Sequence, residues 1–360
     1  MAVFKYISLA FMCGLVFGTG FTLMLFYYQS MTMHSVWGVG VAHEIARKDY
    51  EDPDSGNKIV VGRKDDYLEE SSETRTVPPK IMAPVYVDAE DNTTAEQLYQ
   101  KVRVLCWIMT SPATLEKKAS HVRDTWSKRC NIRLFMSSVE DKNFPAVGLP
   151  VKEGRDQLYE KTKEAYKYAW EHYKDQADWF MKADDDTYLV VENLRFLLKD
   201  YDPKKPLFFG RKFKPFINQG YMSGGAGYVL SNDAVRRFVE GIETKKCPKG
   251  GGVEDVEMGR CMEKIGVIAG DSRDADHRET FHPLGPIHHL KPGSIPPDNW
   301  FWKYNYYPTC LGPECSSNYP ITFHYVSTDE MHIFDFMIYN VKIYGLSYMY
   351  SRYPKLPYET

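Results

Sequence analysis

Between residues 102 and 201, short apolar runs alternate with stretches of helical period, and this alternation limits the fold more than any other feature. "VRVLCWIMT" (102–110) is nearly continuous in apolar residues, the pattern of a strand covered on both faces. "SPATLEKKASHVRDTWSKRC" (111–130) predicts a helix, with Ser111 or Thr114 as its cap. "IRLFMSS" (132–138) is a second strand. "GRDQLYEKTKEAYKYAWEHYKDQ" (154–176) places Leu158, Tyr159, Thr162, Ala165, Tyr166, Ala169 and Trp170 at helical spacing. "DWFMKA" (178–183) is a third strand and "VENLRFLLKDY" (191–201) a further helix. Strand, helix, strand, helix, strand implies an α/β domain around a mostly parallel sheet. No internal repeat interrupts it.

The third strand ends in Asp184, Asp185 and Asp186. Aspartate is a poor strand former, and three adjacent like charges need a compensating cation. In open α/β sheets, ligands bind beyond the carboxyl ends of the strands. In extended chain Asp184 and Asp186 point one way and Asp185 the other. The D-x-D spacing therefore offers two carboxylates to one hard divalent ion, Mg²⁺ or Mn²⁺, of the kind that bridges substrate phosphates. The competing explanation is an acidic turn or helix cap, since Thr187 and a helix follow closely.

The ends of the chain suggest a compartment. From Tyr6 to Tyr28 runs an uncharged apolar stretch, long enough to cross a hydrocarbon layer of roughly 30 Å, preceded by Lys5 and closed by two tyrosines. A cleaved signal peptide would be shorter and would end in a small-residue cleavage site. The expected organisation is a cytosolic tail (1–5), a transmembrane signal anchor (6–28), a largely disordered lumenal stem (29–98) and a catalytic domain (99–360). The stem mixes charge, Ser, Gly and Pro with few large apolar residues, so it cannot bury enough surface to fold alone. Beyond Cys13 in the span, six cysteines remain: Cys106, Cys130, Cys247, Cys261, Cys310 and Cys315. An even number in a lumenal domain suggests disulfides, and pairing neighbours closes the shortest loops. Asn92-Thr93-Thr94 is a glycosylation acceptor pattern, compatible with the same address. A net charge of −3 gives no argument for binding nucleic acid.

"WFMKADDDTYLVVENL" (179–194) resembles the D-x-D region of the inverting glycosyltransferase family that contains the β1,3-galactosyl- and β1,3-N-acetylglucosaminyltransferases. The resemblance extends through "HVRDTW" (121–126), "EGRDQLYEKT" (153–162), "YMSGGAGYVLS" (221–231), "GGGVEDVEMGRC" (250–261) and "ITFHYV" (321–326), and is strongest to the core 1 branch. It implies a GT-A fold, a Rossmann-like sheet flanked by helices behind the membrane anchor. It also implies transfer of galactose from UDP-galactose, with Mn²⁺, to GalNAc α-linked to Ser or Thr of glycoproteins. A Golgi membrane location and a homodimer go with it. A sister specificity within the family is the alternative. A non-catalytic lumenal chaperone, the other alternative, has a known relative that lacks the D-x-D kept here.

The resemblance also implies roles. Asp184 and Asp186 are expected at the metal, Asp186 as the more direct ligand, with His324 completing the shell in preference to His282, His288 and His289. Inversion needs a base for the acceptor hydroxyl. Among Glu254, Asp255 and Glu257 the family's base aligns with Asp255, with Glu254 second. These carboxylates at a helix start could equally serve the helix dipole. Arg123, Asp156, Lys161, Asp185, Gly224 and Gly225 are expected on the donor side, although a helix-end arginine and a tight glycine turn have ordinary structural uses. A pyranose presents apolar C–H groups to an aromatic face. From "PDNWFWKYNYYP" (297–308) Trp300 is singled out for the acceptor, with Tyr325 as a second wall. Most of the 26 Tyr, 19 Phe and 7 Trp belong in the core. The tail after Ser327 is expected to pack on the core or make a dimer contact.

Overall fold

The computed structural model describes residues 93–343. The expected tail, membrane span, Asn92 and nearly all of the stem lie outside them. Among the described residues no helix is long and apolar enough to cross a membrane.

The chain enters through helix α1 (Thr93–Lys101), which straddles the boundary expected between stem and domain. Strand β1 (Val104–Met109) is buried at every position. Because successive side chains of a strand point to opposite faces, Val104, Cys106 and Ile108 join one core cluster, while Leu105, Trp107 and Met109 join another. That explains a run without polar alternation: both faces of the sheet are covered. Strands β2 (Ile132–Ser137), β3 (Ala146–Gly148) and β4 (Trp179–Asp184) extend the sheet in parallel.

The stretch expected as one helix over 111–130 is three short pieces: a π-turn at Leu115–Ala119, helix α2 (Ser120–Asp124) and a 3₁₀ turn at Trp126–Arg129. Hydroxyls compete for its carbonyls. Ser120 Oγ donates to the Glu116 carbonyl (2.6 Å), Thr125 Oγ1 to His121 (2.6 Å) and Ser127 Oγ to Val122 (2.8 Å). Helix α3 (Leu158–Tyr173) lies within the segment expected for it, behind a 3₁₀ turn at Arg155–Gln157.

After β4 come β5 (Tyr188–Leu189), α4 (Val191–Leu198), β6 (Leu207–Gly210), β7 (Lys212–Phe213), β8 (Tyr221–Met222) and β9 (Tyr228–Ser231). Then follow α5 (Asn232–Glu243), α6 (Glu254–Lys264), β10 (Ile268–Ala269) and β11 (Phe281–His282). The chain closes with α7 (Pro286–Leu290), α8 (Trp300–Tyr304), β12 (Thr322–Phe323) and α9 (Thr328–Tyr339). The main sheet has the order β10-β6-β9-β4-β1-β2-β3. Strand β9 runs antiparallel to both β4 and β6, so the sheet is mixed rather than uniformly parallel. A second sheet has the order β11-β12-β5.

Disulfides join Cys106 to Cys130, Cys247 to Cys261 and Cys310 to Cys315, the neighbour pairing. The first ties β1 to the end of the broken helical segment. Closing such a loop stabilises by about 3 kcal/mol in the chain-entropy account. Helix α9 is held at its start by a capping box between Ser327 and Glu330. Met331 packs into the core, while Ile333, Phe336 and Met337 are exposed.

Candidate active site

Strands β1 and β4 end together, Met109 opposite Asp184. Antiparallel β9 starts at this same edge, Tyr228 opposite Lys182, so the turn leading into β9 meets the acidic triplet. The second sheet supplies the remaining part. Strand β12 pairs antiparallel with β5, Phe323 opposite Tyr188, which delivers His324 to Asp186. His324 Nε2 lies 3.2 Å from Asp186 Oδ1 and 3.9 Å from Asp184 Oδ2. One ligand atom from each of the three residues falls within 4.8 Å of the others. Two carboxylate oxygens and an imidazole nitrogen suit a borderline-hard divalent ion such as Mn²⁺.

Asp185 points away from this group. Its Oδ2 accepts from Thr110 Oγ1 at 2.9 Å. Burial pushes its carboxyl up to about 6, aided by the Asp186 charge and opposed by Thr114, Thr110 and Lys118. Burial would raise Asp186 too, but the hydrogen bond and charge of His324, with the Lys118 ammonium, hold it below the usual carboxylate range. Lys118 Nζ lies 2.9 Å from Asp186 Oδ2. Nothing in "LEKKAS" distinguishes Lys118 from Lys117; only the π-turn selects it.

The turn before β9 binds the two parts of the site together. Gly227 N–H donates to the Gly224 carbonyl, and Thr187 Oγ1 donates to the Gly225 carbonyl at 2.9 Å. A Cβ on Gly225 would overlap the His324 ring, so only glycine lets that imidazole reach the aspartates. The Gly224 N–H donates to Asp255 Oδ2 at 3.2 Å, while Asp255 Oδ1 accepts from Val256 N–H at 2.9 Å. Burial, together with the Glu254 charge, pushes the Asp255 carboxyl up to about 7 against these hydrogen bonds and the Lys182 charge. A carboxylate of that basicity suits a general base near neutral pH.

Glu254 is different. It is buried, and its Oε1 accepts from Tyr228 Oη (2.6 Å) and Thr162 Oγ1 (2.8 Å). Those bonds hold it in a polar network under the turn, whereas Asp255 is only half-buried. Of the acceptor-side aromatics, Trp300 stands edge-on to Phe213 and Tyr304 in a cluster that includes Tyr221 and Val256, the neighbour of Asp255. Tyr325 is 58% exposed and stacks on His324 with ring centroids 3.8 Å apart.

The donor-side expectations divide. Gly224, Gly225 and Asp185 are in or beside the site. Lys161 is buried as a tie: its Nζ donates to the Thr110 carbonyl (2.7 Å) and to both Glu153 oxygens. It holds the end of β1 rather than facing outward. Arg123 makes a two-pronged pair with Asp124 on the surface and lies over Phe144. Asp156 is exposed and accepts from the Gln157 amide. Lys182, which sequence reasoning passed over, is buried with its Nζ on Asp184. A lysine inside an apolar strand, two residues before an aspartate, was the available signal.

Comparison with known proteins bears on these residues. The pattern of the Fringe-like family matches residues 100–330. Over 263 residues the chain is 52% identical to glycoprotein-N-acetylgalactosamine 3-beta-galactosyltransferase 1 of Xenopus laevis, covering 73% of each chain. It is 30% identical over 180 residues to chondroitin sulfate synthase 3 of Homo sapiens, 44% of this chain and 20% of that one. Among solved structures, a Drosophila β-galactosyltransferase 7 complex with manganese, UDP-Gal and xylobiose covers 47% of this chain and 64% of that one. The identity is 13% and the TM-score 0.28.

Proposed function

The chain belongs to the Fringe-like family of glycosyltransferases, and from that premise we propose that it transfers galactose from UDP-galactose, with inversion, to O3 of GalNAc α-linked to Ser or Thr of glycoproteins. The observation that carries this reading is the turn at Gly224 and Gly225, which touches the metal-competent cluster through His324 and the base candidate through Asp255. The similarity to the Xenopus galactosyltransferase supports the choice of donor and acceptor.

Asp184, Asp186 and His324 would hold Mn²⁺. Bound there, the ion supplies positive charge to the diphosphate leaving group. The chain's own residues do the rest. Asp255 takes the proton from the attacking hydroxyl at its carboxylate, and its raised basicity makes that transfer favourable at neutral pH. Gly224 N–H orients that carboxylate. Trp300 and Tyr325 offer aromatic faces for the acceptor ring. We assign the chain to the Golgi membrane as a single-pass type II protein and homodimer, on the apolar stretch 6–28, the lumenal cysteine chemistry and the family.

The test supplies the protein with Mn²⁺, a GalNAcα-threonine peptide and, in turn, UDP-galactose, UDP-GlcNAc and UDP-GalNAc. Galactose transfer giving a β1,3 product and lost on chelation is the expected result. Transfer of another sugar, or only to other acceptors, moves the chain to a sister specificity. No transfer from any donor by folded protein overturns the reading.

A further inference from the structure

Lys182 interrupts an otherwise apolar strand, and its side chain is 2% exposed. A buried charge is costly unless its partners satisfy it: a buried ion pair replaced as a whole by apolar residues often loses no stability, whereas removing one partner leaves the other uncompensated. The partners here are unusual in their distribution. Lys182 Nζ donates to Asp184 Oδ1 at 2.5 Å and to the Gly224 carbonyl at 2.9 Å. Asp184 belongs to the metal-competent cluster. Gly224 presents its N–H to Asp255. One ammonium thus touches both functional halves. A Cβ on Gly224 would stand 2.8 Å from Glu254 Oε2, 3.6 Å from Asp255 Cβ and 3.8 Å from Lys182 Nζ, so these groups crowd around one peptide.

We propose that Lys182 is a positioning residue that sets the spacing between the Asp184–Asp186–His324 cluster and Asp255, by gripping Asp184 and the Gly224 peptide with the same ammonium. The proposal rests on the reading of that cluster as the metal site and of Asp255 as the base. Without Lys182, Asp184 loses its fixed orientation and the turn loses its anchor to β4. A 1 Å drift between nucleophile and donor is enough to cost about 100-fold in rate.

The groups that face Asp255 are Glu254 and Lys182, with the Tyr221 and Tyr304 rings close by. Removing the lysine charge therefore also makes Asp255 harder to ionise.

Lys182→Met and Lys182→Gln are compared with the unaltered protein by thermal melting, by paramagnetic resonance of Mn²⁺ titrated without sugar nucleotide, and by steady-state kinetics over pH. Both variants are expected to fold, to bind Mn²⁺ about tenfold more weakly, as for loss of a group that orients a metal ligand, and to lose about 10–100-fold in kcat with little change in acceptor KM. The acid limb of kcat/KM is expected to move upward by about half a pH unit or more. A folded variant with unaltered kcat, Mn²⁺ affinity and acid limb overturns the proposal; if only one variant folds, that one decides. Should the unaltered protein transfer no sugar, the functional reading falls, while the Mn²⁺ titration still decides whether Lys182 orients the cluster.

Discussion

The imidazole of His324 stands 3.2 Å from the Asp186 carboxylate, and the contact exists because β12 pairs with β5 rather than with the main sheet. The backbone seals the arrangement, with Val326 N–H on the Asp186 carbonyl (3.0 Å) and Val190 N–H on that of Ile321 (2.8 Å). Replacing His324 or Asp186 with Ala should weaken Mn²⁺ binding by more than about 100-fold, beyond what outer residues of metal sites contribute, and leave the fold intact. Titration calorimetry of Mn²⁺ and UDP measures this. Unchanged metal-dependent UDP binding in both variants would remove the cluster from the mechanism.

Gly225→Ala tests the same site without touching a ligand. Its methyl would enter the space of the His324 ring and force the imidazole away from the aspartates. We expect Mn²⁺ affinity to fall at least tenfold. Wild-type affinity in this variant would mean that the ring has room the structure does not show.

Asp255→Asn should abolish transfer, by about 10²–10⁴-fold as for loss of a general base, while UDP and Mn²⁺ still bind. A variant with near-normal turnover would eliminate Asp255 as the base.

The pH profile follows from the raised Asp255 carboxyl. An acid whose folded value is lifted to about 7 is protonated below that pH and idle as a base. The acid limb of kcat/KM, which reports the free enzyme, should therefore bend near pH 7, with the rate falling about tenfold per pH unit below it. The stability sign is opposite. Folding favours the protonated form, so the contribution of this group is fully present at low pH and declines as pH rises through about 7. An acid limb near pH 4 would point to an unperturbed carboxylate.

Glu254→Gln separates the two neighbouring carboxylates. The Tyr228 and Thr162 hydroxyls donate to one oxygen, Oε1, which the amide oxygen can replace, so the substitution removes the charge and puts an NH2 group in the place of Oε2. A buried amide donor left unmatched costs about 1–3 kcal/mol. The melting temperature should fall, and turnover should persist with an acid limb moved to lower pH, because the Glu254 charge that helps raise the Asp255 carboxyl is gone. Loss of turnover in a protein of unchanged stability would shift the base to Glu254.

Much of the fold was legible because burial leaves a one-dimensional trace. Strand β1 is covered on both faces, so every residue from Val104 to Met109 had to be apolar or a disulfide cysteine. Helix α3 buries one stripe and shows the matching period. The broken segment 111–130 was not legible: residue types there suit a helix, and its interruption comes from hydroxyls that choose backbone partners only in the folded chain.

The sequence by itself determined that a strand runs into a D-x-D; the strand stops at Asp184, and the turn closed by Thr187 N–H on the Asp184 carbonyl sends Asp185 to Thr110 and Asp186 to His324. Local chemistry decides such things. Which lysines serve the site was decided elsewhere. Lys161, Lys118 and Lys182 are alike in composition. Yet one ties down β1, one faces Asp186 from the rim, and one is buried between Asp184 and Gly224. Antiparallel pairing of β9 and of β12 assembles those neighbours from distant parts of the chain. No local propensity records that pairing, because its energy resides in contacts that form only when the sheets do.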